Sequence, residues 1–244
     1  MRWILLVIFS FASSGFINPQ EIIFAIGDWP PYTNSSENGL ATDIVTAACV
    51  SVGITYRIIH VPWLRAENYV ERGDAFGTFP YAITSQRKIK YLFSDPIFGS
   101  SNTIIYNSSN KKIDIAELQS IESFKMFTIG MTTGSDALAV PLRKIGAKVE
   151  TTETIDLSMK KLQSGRIDFI IEDSYVINEL LKQYQDARIV VLNKKILFLD
   201  REYCLMVTKR NKNSQDIIEL FNKGIRKIKS SGEYGRIIVK YQEQ

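Results

Sequence analysis

The sequence predicts an α/β protein with two similar lobes, and three observations support this fold class. Apolar strand-like runs alternate with helix-like segments, this alternation occurs twice, and a similar helix, glycine and strand joint appears in each half of the 244 residues. A chain of this length can bury the cores of two modest domains. Hydrophobic residues make up 45% and charged residues 23%, which is typical of globular proteins and excludes disordered and fibrous classes.

The N-terminus has the pattern of a secretory signal peptide. Arg2 precedes an apolar run, Trp3–Phe11, and small residues follow at Ala12–Gly15. A membrane anchor is the weaker alternative, because spanning a bilayer takes about 20 apolar residues. No cysteine follows the run to carry a lipid, and no later segment is apolar enough to span. We therefore expect residues 1–20 to be removed and the mature protein to be exported and soluble.

The first half of the chain predicts strands and helices in alternation. "EIIFAI" and "TYRIIHV" have the composition of strands, and "WLRAENYVERG" has that of a helix ending at Gly73. Apolar residues recur at helical spacing from Thr42 to Val52, with Thr42 as the candidate cap and Gly53 as the stop. This alternation indicates a parallel sheet covered by helices.

The second half repeats this scheme. "MFTIGM" and "AKVETT" predict strands, Asp136–Ile145 predicts a helix interrupted by Pro141, and Thr154 is the predicted cap of a helix that ends at Gly165. The segments "YVERGDAF" and "KLQSGRIDF" both combine a helix end, a glycine, an aspartate and a short buried strand. Such joints also arise by chance, but two similar lobes explain the repetition more simply.

The C-terminal tail follows a strand, "YCLMVTK", and predicts two helices. The longer helix is amphipathic and the shorter one lies near Tyr234–Tyr241; the apolar positions of the longer helix are Ile217, Ile218, Phe221, Ile225 and Ile228. Because no further strands follow, the tail cannot build a third domain. We expect it to pack against the first lobe.

Charge and cysteine usage exclude several kinds of partner and cofactor. The formal charge of +4 is spread along the chain without a basic block, so nucleic acid is not an expected partner. Cys49 and Cys204 both lie in apolar runs, which favours two buried thiols over a disulfide. The single histidine, His60, cannot form a metal cluster by itself. We expect no metal and no cofactor.

Seven motifs, in order from about Ile22 to Tyr241, carry a resemblance to a known family. They are "IGDWPPY", "GLATDIVTAA", "ERGDAFGTF", "ITSQRKIKYLFSDPI", "IGMTTGSDA", "LQSGRIDFIIEDSYVINELL" and "IRKIKSSGEYGRIIVKY". With them the chain resembles the family 3 extracellular solute-binding proteins, the polar amino acid type that feeds ABC importers.

The resemblance implies a two-lobed fold of the type II periplasmic binding proteins, with the ligand cleft between the lobes and two crossing strands as the hinge. Lobe 1 would comprise residues 21–106 plus 196–244, and lobe 2 residues 107–195. A monomer located in the periplasm, with a membrane permease as partner, is also implied.

The resemblance also assigns a ligand-carboxylate clamp. Arg87 matches the family position whose guanidinium holds that carboxylate, and its planar, permanently charged fork of donors suits the role; an ordinary surface arginine is the alternative. In "TTGSD", Ser135 and the backbone at a helix start would bind the same carboxylate. Asp136 is either a helix cap or a contact to a cationic ligand group, since the family usually has a hydroxyl residue there.

Asp173 matches the family position whose carboxylate pairs with the ligand's ammonium group, although a helix cap is the competing role. Glu172 is expected to be a neighbour of Asp173 and not a ligand contact. By resemblance Trp29 and Trp63 supply aromatic walls, and Asp28 in the same loop as Trp29 completes the candidate set.

One departure from the family pattern concerns the amine site. The family commonly has a small, hydroxyl-rich strand end before Arg87, whereas this chain has Phe79, Pro80, Tyr81 and Ala82. Pro80 has no N–H and Ala82 has no hydroxyl, so the amine site is weakened, although Tyr81 could supply a hydroxyl. We therefore expect the ligand to be an unusual amino acid, a carboxylate without the α-amine, or something else.

These residues predict a solute-binding protein that delivers a small polar solute to an ABC importer and breaks no bond. An enzyme on the same fold, similar to cyclohexadienyl dehydratases, is one alternative, with Glu172, Asp173 or Asp28 as the acid or base. The other is a stand-alone ligand-sensing module that docks to a membrane sensor. Turnover of prephenate or arogenate, or co-purification with a sensor, would favour these alternatives.

Overall fold

The computed structural model describes residues 21–193 and 199–242, so the predicted signal peptide lies outside the described residues. In this part of the chain the strands are β1 (Ile22–Ile26), β2 (Tyr56–His60), β3 (Gly77–Ala82), β4 (Tyr91–Asn107), β5 (Thr128–Thr132), β6 (Lys148–Thr152), β7 (Phe169–Asp173), β8 (Ile189–Val191) and β9 (Asp200–Thr208). The helices are α1 (Leu40–Val52), α2 (Trp63–Arg72), α3 (Ser85–Lys90), α4 (Asp136–Lys144), α5 (Ile155–Gln163), α6 (Ser174–Tyr184), α7 (Ser214–Ser230) and α8 (Glu233–Gln242). Two short 3₁₀ turns, Ile115–Glu117 and Ile121–Phe124, precede β5.

The strands form one mixed sheet in the order β2-β1-β3-β9-β4-β7-β5-β6, with β8 beside β4. At one end β1 pairs in parallel with β2 and β3, and at the other β5 pairs in parallel with β6 and β7. These two parallel groups, with the helices that cover them, are the first and second lobes. The predicted α/β architecture with two parallel groups is confirmed.

A single strand, β4, belongs to both lobes. Its first part pairs antiparallel with β9, up to the partners Ser101 and Asp200. Its last part pairs antiparallel with β7, from Asn102 opposite Asp173, and with β8. The local sequence patterns did not predict this 17-residue strand. Because β4 and β9 pair where the lobes meet, they are the crossing strands.

The glycine stops predicted from the sequence are confirmed, whereas two other details are wrong. Gly53 and Gly73 end α1 and α2 in left-handed conformations, with φ of 75° and 85°. Helix α1 begins at Leu40 after Gly39, so Thr42 is buried in its first turn and is not the cap. Helix α4 continues through Pro141 to Lys144, because a proline there removes only one hydrogen bond of a short helix.

The two similar sequence segments form equivalent joints. After α2, Asp74 N donates to Tyr69 O, and after α5, Arg166 N donates to Lys161 O, both over 2.9 Å. Gly165 has a φ of 70°, which is close to that of Gly73. Thr154 occupies the N-cap position of α5, but its side chain makes no capping hydrogen bond. The repetition therefore reflects the same helix-to-strand turn in each lobe.

The apolar core follows the division into lobes. The largest cluster combines β1 and α1 with the tail helix α7, so that Phe24 and Ile44 share a core with Phe221. Helices α1 and α7 approach so closely that a Cβ on Gly224 would lie 2.3 Å from Ala48 O. Separate clusters fill the second lobe around β5 and β7. The residue boundaries of the lobes stay a prediction.

Both cysteines are buried free thiols, Cys49 in α1 and Cys204 in β9. Burial raises the pKa of each thiol to about 12, so neither ionises near neutral pH. Among the described residues, no helix combines the length and apolarity that crossing a membrane requires.

Candidate functional site

A cavity of about 80 Å³ lies between the lobes, a volume that holds a few water molecules. Its lining comes from both lobes and from both crossing strands: Trp29, Trp63, Pro80, Tyr81, Ala82, Arg87, Asn102, Thr132, Thr133, Gly134, Ser135, Ala137, Leu138, Glu172, Arg201 and Tyr203. Six of the predicted site residues are in this set, namely Trp29, Trp63, Tyr81, Ala82, Arg87 and Ser135. Asp28, Asp136 and Asp173 are outside it.

Arg87 is held rigidly on the first-lobe side of the cavity. Thr84 caps helix α3 by accepting the Arg87 N–H over 3.1 Å. The guanidinium donates from Nη1 to Ala82 O over 3.2 Å and its carbon lies 4.6 Å from the centre of the Tyr81 ring. Arg87 is only 7% exposed, so a buried and oriented cation faces the cavity.

Two carboxylates approach this guanidinium. Glu67 Oε2 of the first lobe and Asp136 Oδ2 of the second lobe both lie 3.6 Å from Arg87 Nη2. Direct hydrogen bonds between such groups measure about 2.7–2.9 Å, so neither carboxylate makes the close forked contact that arginine favours. The Asp136 carboxylate links the lobes at this point.

The second-lobe side of the cavity opposite Arg87 is the start of α4. Gly134 has a φ of 98°, which a glycine accommodates without strain, and this turn brings Ser135 to the N-cap position. The Ser135 side chain makes no capping hydrogen bond. The first N–H groups of a helix have no acceptor within the helix and carry partial positive charge. This side of the cavity therefore suits an anion, as the sequence predicted for "TTGSD".

Glu172, at the end of β7, places a carboxylate in the cavity. It is 4% exposed and accepts hydrogen bonds from Thr132 Oγ1 over 2.8 Å and from Asp173 N over 2.9 Å. Burial raises the pKa of this carboxyl group, because charge is poorly solvated there. A cationic ligand group beside Glu172 would stabilise the charged carboxylate and so compensate for the water that burial removes. We expected Glu172 to be a neighbour of Asp173 and not a ligand contact. In the structure, Glu172 is part of the cavity lining.

Asp173 is fully buried and its carboxylate is taken up by groups of the protein. It accepts hydrogen bonds from Tyr32 Oη over 2.7 Å and from Tyr175 N over 2.9 Å, and it contacts Ser100 Oγ. The Tyr175 bond caps α6, which is the competing role weighed for this residue. Tyr32 belongs to the first lobe, so this carboxylate also ties the lobes together beside β4.

The aromatic walls come from the loop after β1 and from the start of α2. The Trp63 ring packs on Gly27, where a Cβ would lie 2.6 Å from it, and Nε1 donates to Asp28 O over 3.2 Å. The Asp28 side chain is exposed and points to His60, with Oδ1 3.3 Å from Nδ1. On the other side, the Trp29 ring centre lies 5.1 Å from that of Tyr203.

Three lining residues on the crossing strands were missed from the sequence. Asn102 of β4 donates from Nδ2 to the carbonyl oxygen of Leu199, the residue before β9, over 2.8 Å. Arg201 and Tyr203 stand two positions apart on β9 and so share a face of the sheet. The local pattern "DREYC" does not mark these residues as cavity lining. Their place in the lining follows only from the pairing of β9 with β4, and local patterns do not reveal which strands cross.

The chain is similar in sequence to known binding proteins. The chain is 26% identical over 235 residues to an arginine-binding periplasmic protein of Mannheimia haemolytica, covering 91% of each chain. It is 25% identical over 207 residues to a probable histidine-binding protein of Neisseria gonorrhoeae, covering 83% of this chain and 74% of the relative.

Solved structures share the fold. The arginine-, lysine-, histidine-binding protein ArtJ of Geobacillus stearothermophilus superposes with a TM-score of 0.74 at 19% identity, covering 92% of this chain and 96% of ArtJ. The GluR0 ligand-binding core of Nostoc punctiforme in complex with L-glutamate gives 0.73 at 20% identity, covering 90% and 98%. These matches confirm the predicted two-lobed fold.

The family model for bacterial extracellular solute-binding proteins, family 3, matches residues 22–244. That match covers nearly the whole chain and includes every strand and helix that lines the cavity. This protein belongs to the family 3 bacterial extracellular solute-binding proteins.

Proposed function

We propose that this protein binds a small amino acid in the periplasm and delivers it to the membrane permease of an ABC importer. One observation carries the proposal: a buried guanidinium, Arg87, and a buried carboxylate, Glu172, line the same cavity from different lobes. A zwitterion has one group of each charge and would complement both. The relatives named as arginine- and histidine-binding proteins support an amino acid ligand.

The ligand's carboxylate would bind Arg87 on one side and the start of α4 on the other. Arg87 supplies a forked pair of charged donors. Ser135 supplies a hydroxyl that the helix does not use, and the free N–H groups of the first helical turn favour negative charge. Both sides of this clamp are already ordered, which reduces the entropy lost on binding.

The ligand's ammonium group would bind Glu172. The resemblance instead predicts Asp173 for this role. The Asp173 carboxylate already accepts hydrogen bonds from Tyr32 and from the start of α6. Glu172 is part of the cavity lining, whereas Asp173 is not. At the bulky Phe79–Ala82 strand end, the Ala82 carbonyl already accepts a hydrogen bond from Arg87, so it is less available to the ammonium group.

Binding would favour closure of the lobes. Arg87 and Trp63 lie in the first lobe, whereas Ser135 and Glu172 lie in the second, so a ligand in full contact requires both lobes together. A ligand shifts a conformational equilibrium by its differential affinity for the two states. The permease would recognise the closed form, with the protein acting as a monomer.

The experiment is a thermal-shift panel of amino acids and simple carboxylates on the mature protein, followed by calorimetry. A ligand at 100 times its Kd stabilises the folded state by about 2.7 kcal/mol, which is about 5–10 °C in Tm for a chain of this size. A simple carboxylate that shifts Tm when no amino acid does would overturn the ammonium part. Absence of any binding, with turnover of prephenate or arogenate, would favour the dehydratase alternative.

A further inference from the structure

A second arginine, Arg201, lines the cavity on β9, and its surroundings differ from those of Arg87. Arg87 has two carboxylate oxygens at 3.6 Å. Among the described residues, no carboxylate forms an ion pair with Arg201; its guanidinium donates from Nη1 to Asp200 O over 2.8 Å. A guanidinium carries five N–H donors, so most of the donors of Arg201 have no acceptor among the residues that the structure describes.

Partial burial leaves the charge of Arg201 poorly solvated. The pKa of Arg201 is lowered chiefly because burial removes its charge from water. A buried cation is normally matched by a counter-ion, since desolvated charges are costly when they are left unpaired. The ligand can supply such a counter-ion, because Arg201 stands in the wall of the cavity.

The charges that line the cavity can be compared with those of each ligand class. Arg87, Arg201 and Glu172 are the ionic side chains of the lining. Two carboxylates outside the lining, Glu67 and Asp136, already lie near Arg87, so Arg201 is the lining cation with no carboxylate at ion-pair distance among the described residues. An amino acid with a neutral side chain would satisfy Arg87 and Glu172 and leave Arg201 unpaired. A basic side chain would add a second cation beside Arg201. A side-chain carboxylate would pair with Arg201.

We infer that Arg201 selects the ligand's side chain and that the ligand is an acidic amino acid, with two carboxylates and one ammonium group. This inference rests on the proposed function, because the α-carboxylate and ammonium must occupy Arg87 and Glu172 first. Tyr203, on the same face of β9 as Arg201, and Asn102 of β4 form the rest of this wall. Their uncharged polar groups can orient the side-chain carboxylate without competing for Arg201.

Calorimetry with L-glutamate, L-aspartate, L-glutamine, L-arginine and L-histidine tests the inference. We expect at least one acidic amino acid to bind the unmodified protein about tenfold or more tightly than L-glutamine. Arg201→Gln should weaken binding of that acid by about 10- to 100-fold, the range for losing a hydrogen bond to a charged group. Its effect on L-glutamine should be much smaller.

Two variants separate charge recognition from general damage. Arg201→Lys keeps the cation and should retain a preference for the acidic ligand. Arg236→Gln makes the same charge change on α8 at an exposed residue outside the cavity lining, and it should leave both affinities unchanged.

The possible results distinguish a failure of the inference about Arg201 from a failure of the proposed function. If L-glutamine, L-arginine or L-histidine binds the unmodified protein as tightly as the acids, or if Arg201→Gln weakens all ligands equally, the inference about Arg201 is overturned and the proposed function stands. If no amino acid binds the unmodified protein, the proposed function fails and the inference falls with it.

Discussion

Asp136 of the second lobe lies 3.6 Å from Arg87 of the first, measured from Oδ2 to Nη2. A side-chain carboxylate therefore stands beside the guanidinium that we propose for the ligand's own carboxylate. The two anions would compete for the same cation and repel each other. Asp136 thus weakens the site for a carboxylate ligand while it links the two lobes.

We predict that Asp136→Asn increases affinity for the ligand by up to about fivefold, because a half-exposed ion pair contributes about 0–1 kcal/mol. Calorimetry measures the change. Asp74→Asn is the matched control: Asp74 also pairs with an arginine and is 54% exposed, against 52% for Asp136, but it lies outside the cavity lining. Weaker binding by the Asp136 variant would mean that Asp136 contacts a cationic ligand group.

Replacing Arg87 should remove most of the binding energy. We predict that Arg87→Ala weakens ligand binding by at least about 100-fold, since two charge-assisted hydrogen bonds are lost. Arg87→Lys should recover only part of this loss, because lysine keeps the charge without the planar fork. Circular dichroism verifies folding of both variants. Unchanged affinity in a folded Arg87→Ala protein would remove Arg87 from the site.

Glu172→Gln should stabilise the protein while weakening ligand binding. The raised pKa of Glu172 means that folding favours the protonated carboxyl, so stability falls as pH rises from the ordinary carboxyl pKa through the raised value. The variant lacks this penalty and should have the higher Tm at neutral pH. Its advantage should shrink as pH falls below the raised pKa.

Denaturation at several pH values measures this difference, and calorimetry at neutral pH measures the accompanying loss of affinity. Glu179→Gln, on the exposed face of α6, is the control for a charge change in the same lobe. A Glu172→Gln protein that is less stable at neutral pH but binds ligand normally would contradict both the electrostatic argument and the ammonium role of Glu172.

Tyr32→Phe should lower stability more than it lowers ligand affinity. The variant removes the hydroxyl that donates to Asp173 over 2.7 Å, which leaves a buried carboxylate short of one donor, at a cost of about 1–3 kcal/mol. Urea denaturation measures the change. If affinity falls as far as in Glu172→Gln while stability holds, Asp173 is the ammonium site that we first predicted.

Local patterns predicted much of the fold. Gly53 and Gly73 end helices because positive φ favours glycine at that position, and a sequence displays such stops directly. The long strand β4 was not predicted, because its residues pair with β9, which lies about a hundred positions further along the chain. Pairing between such distant segments leaves no periodic trace in either one.

The site shows the same contrast. Arg87, Ser135, Trp29 and Trp63 could be placed by motif because each belongs to a compact local segment. Glu172 and Asp173 are adjacent and both acidic, and which of them faces the cavity depends on how β7 meets α6 and on the distant Tyr32. Arg201 could not be identified as a lining residue before the crossing of β4 and β9 was known.

The chain enters and leaves the main part of the second lobe at neighbouring points. Ser108 N donates to Arg188 O over 2.8 Å, and Asn107 of β4 is the register partner of Ile189 of β8. The segment between Ser108 and Arg188 therefore begins and ends at adjacent points. It could be exchanged for the matching segment of a relative without moving the flanking chain. Such chimaeras would separate the specificity contributed by Glu172 and Ser135 from that contributed by Arg87 and Arg201.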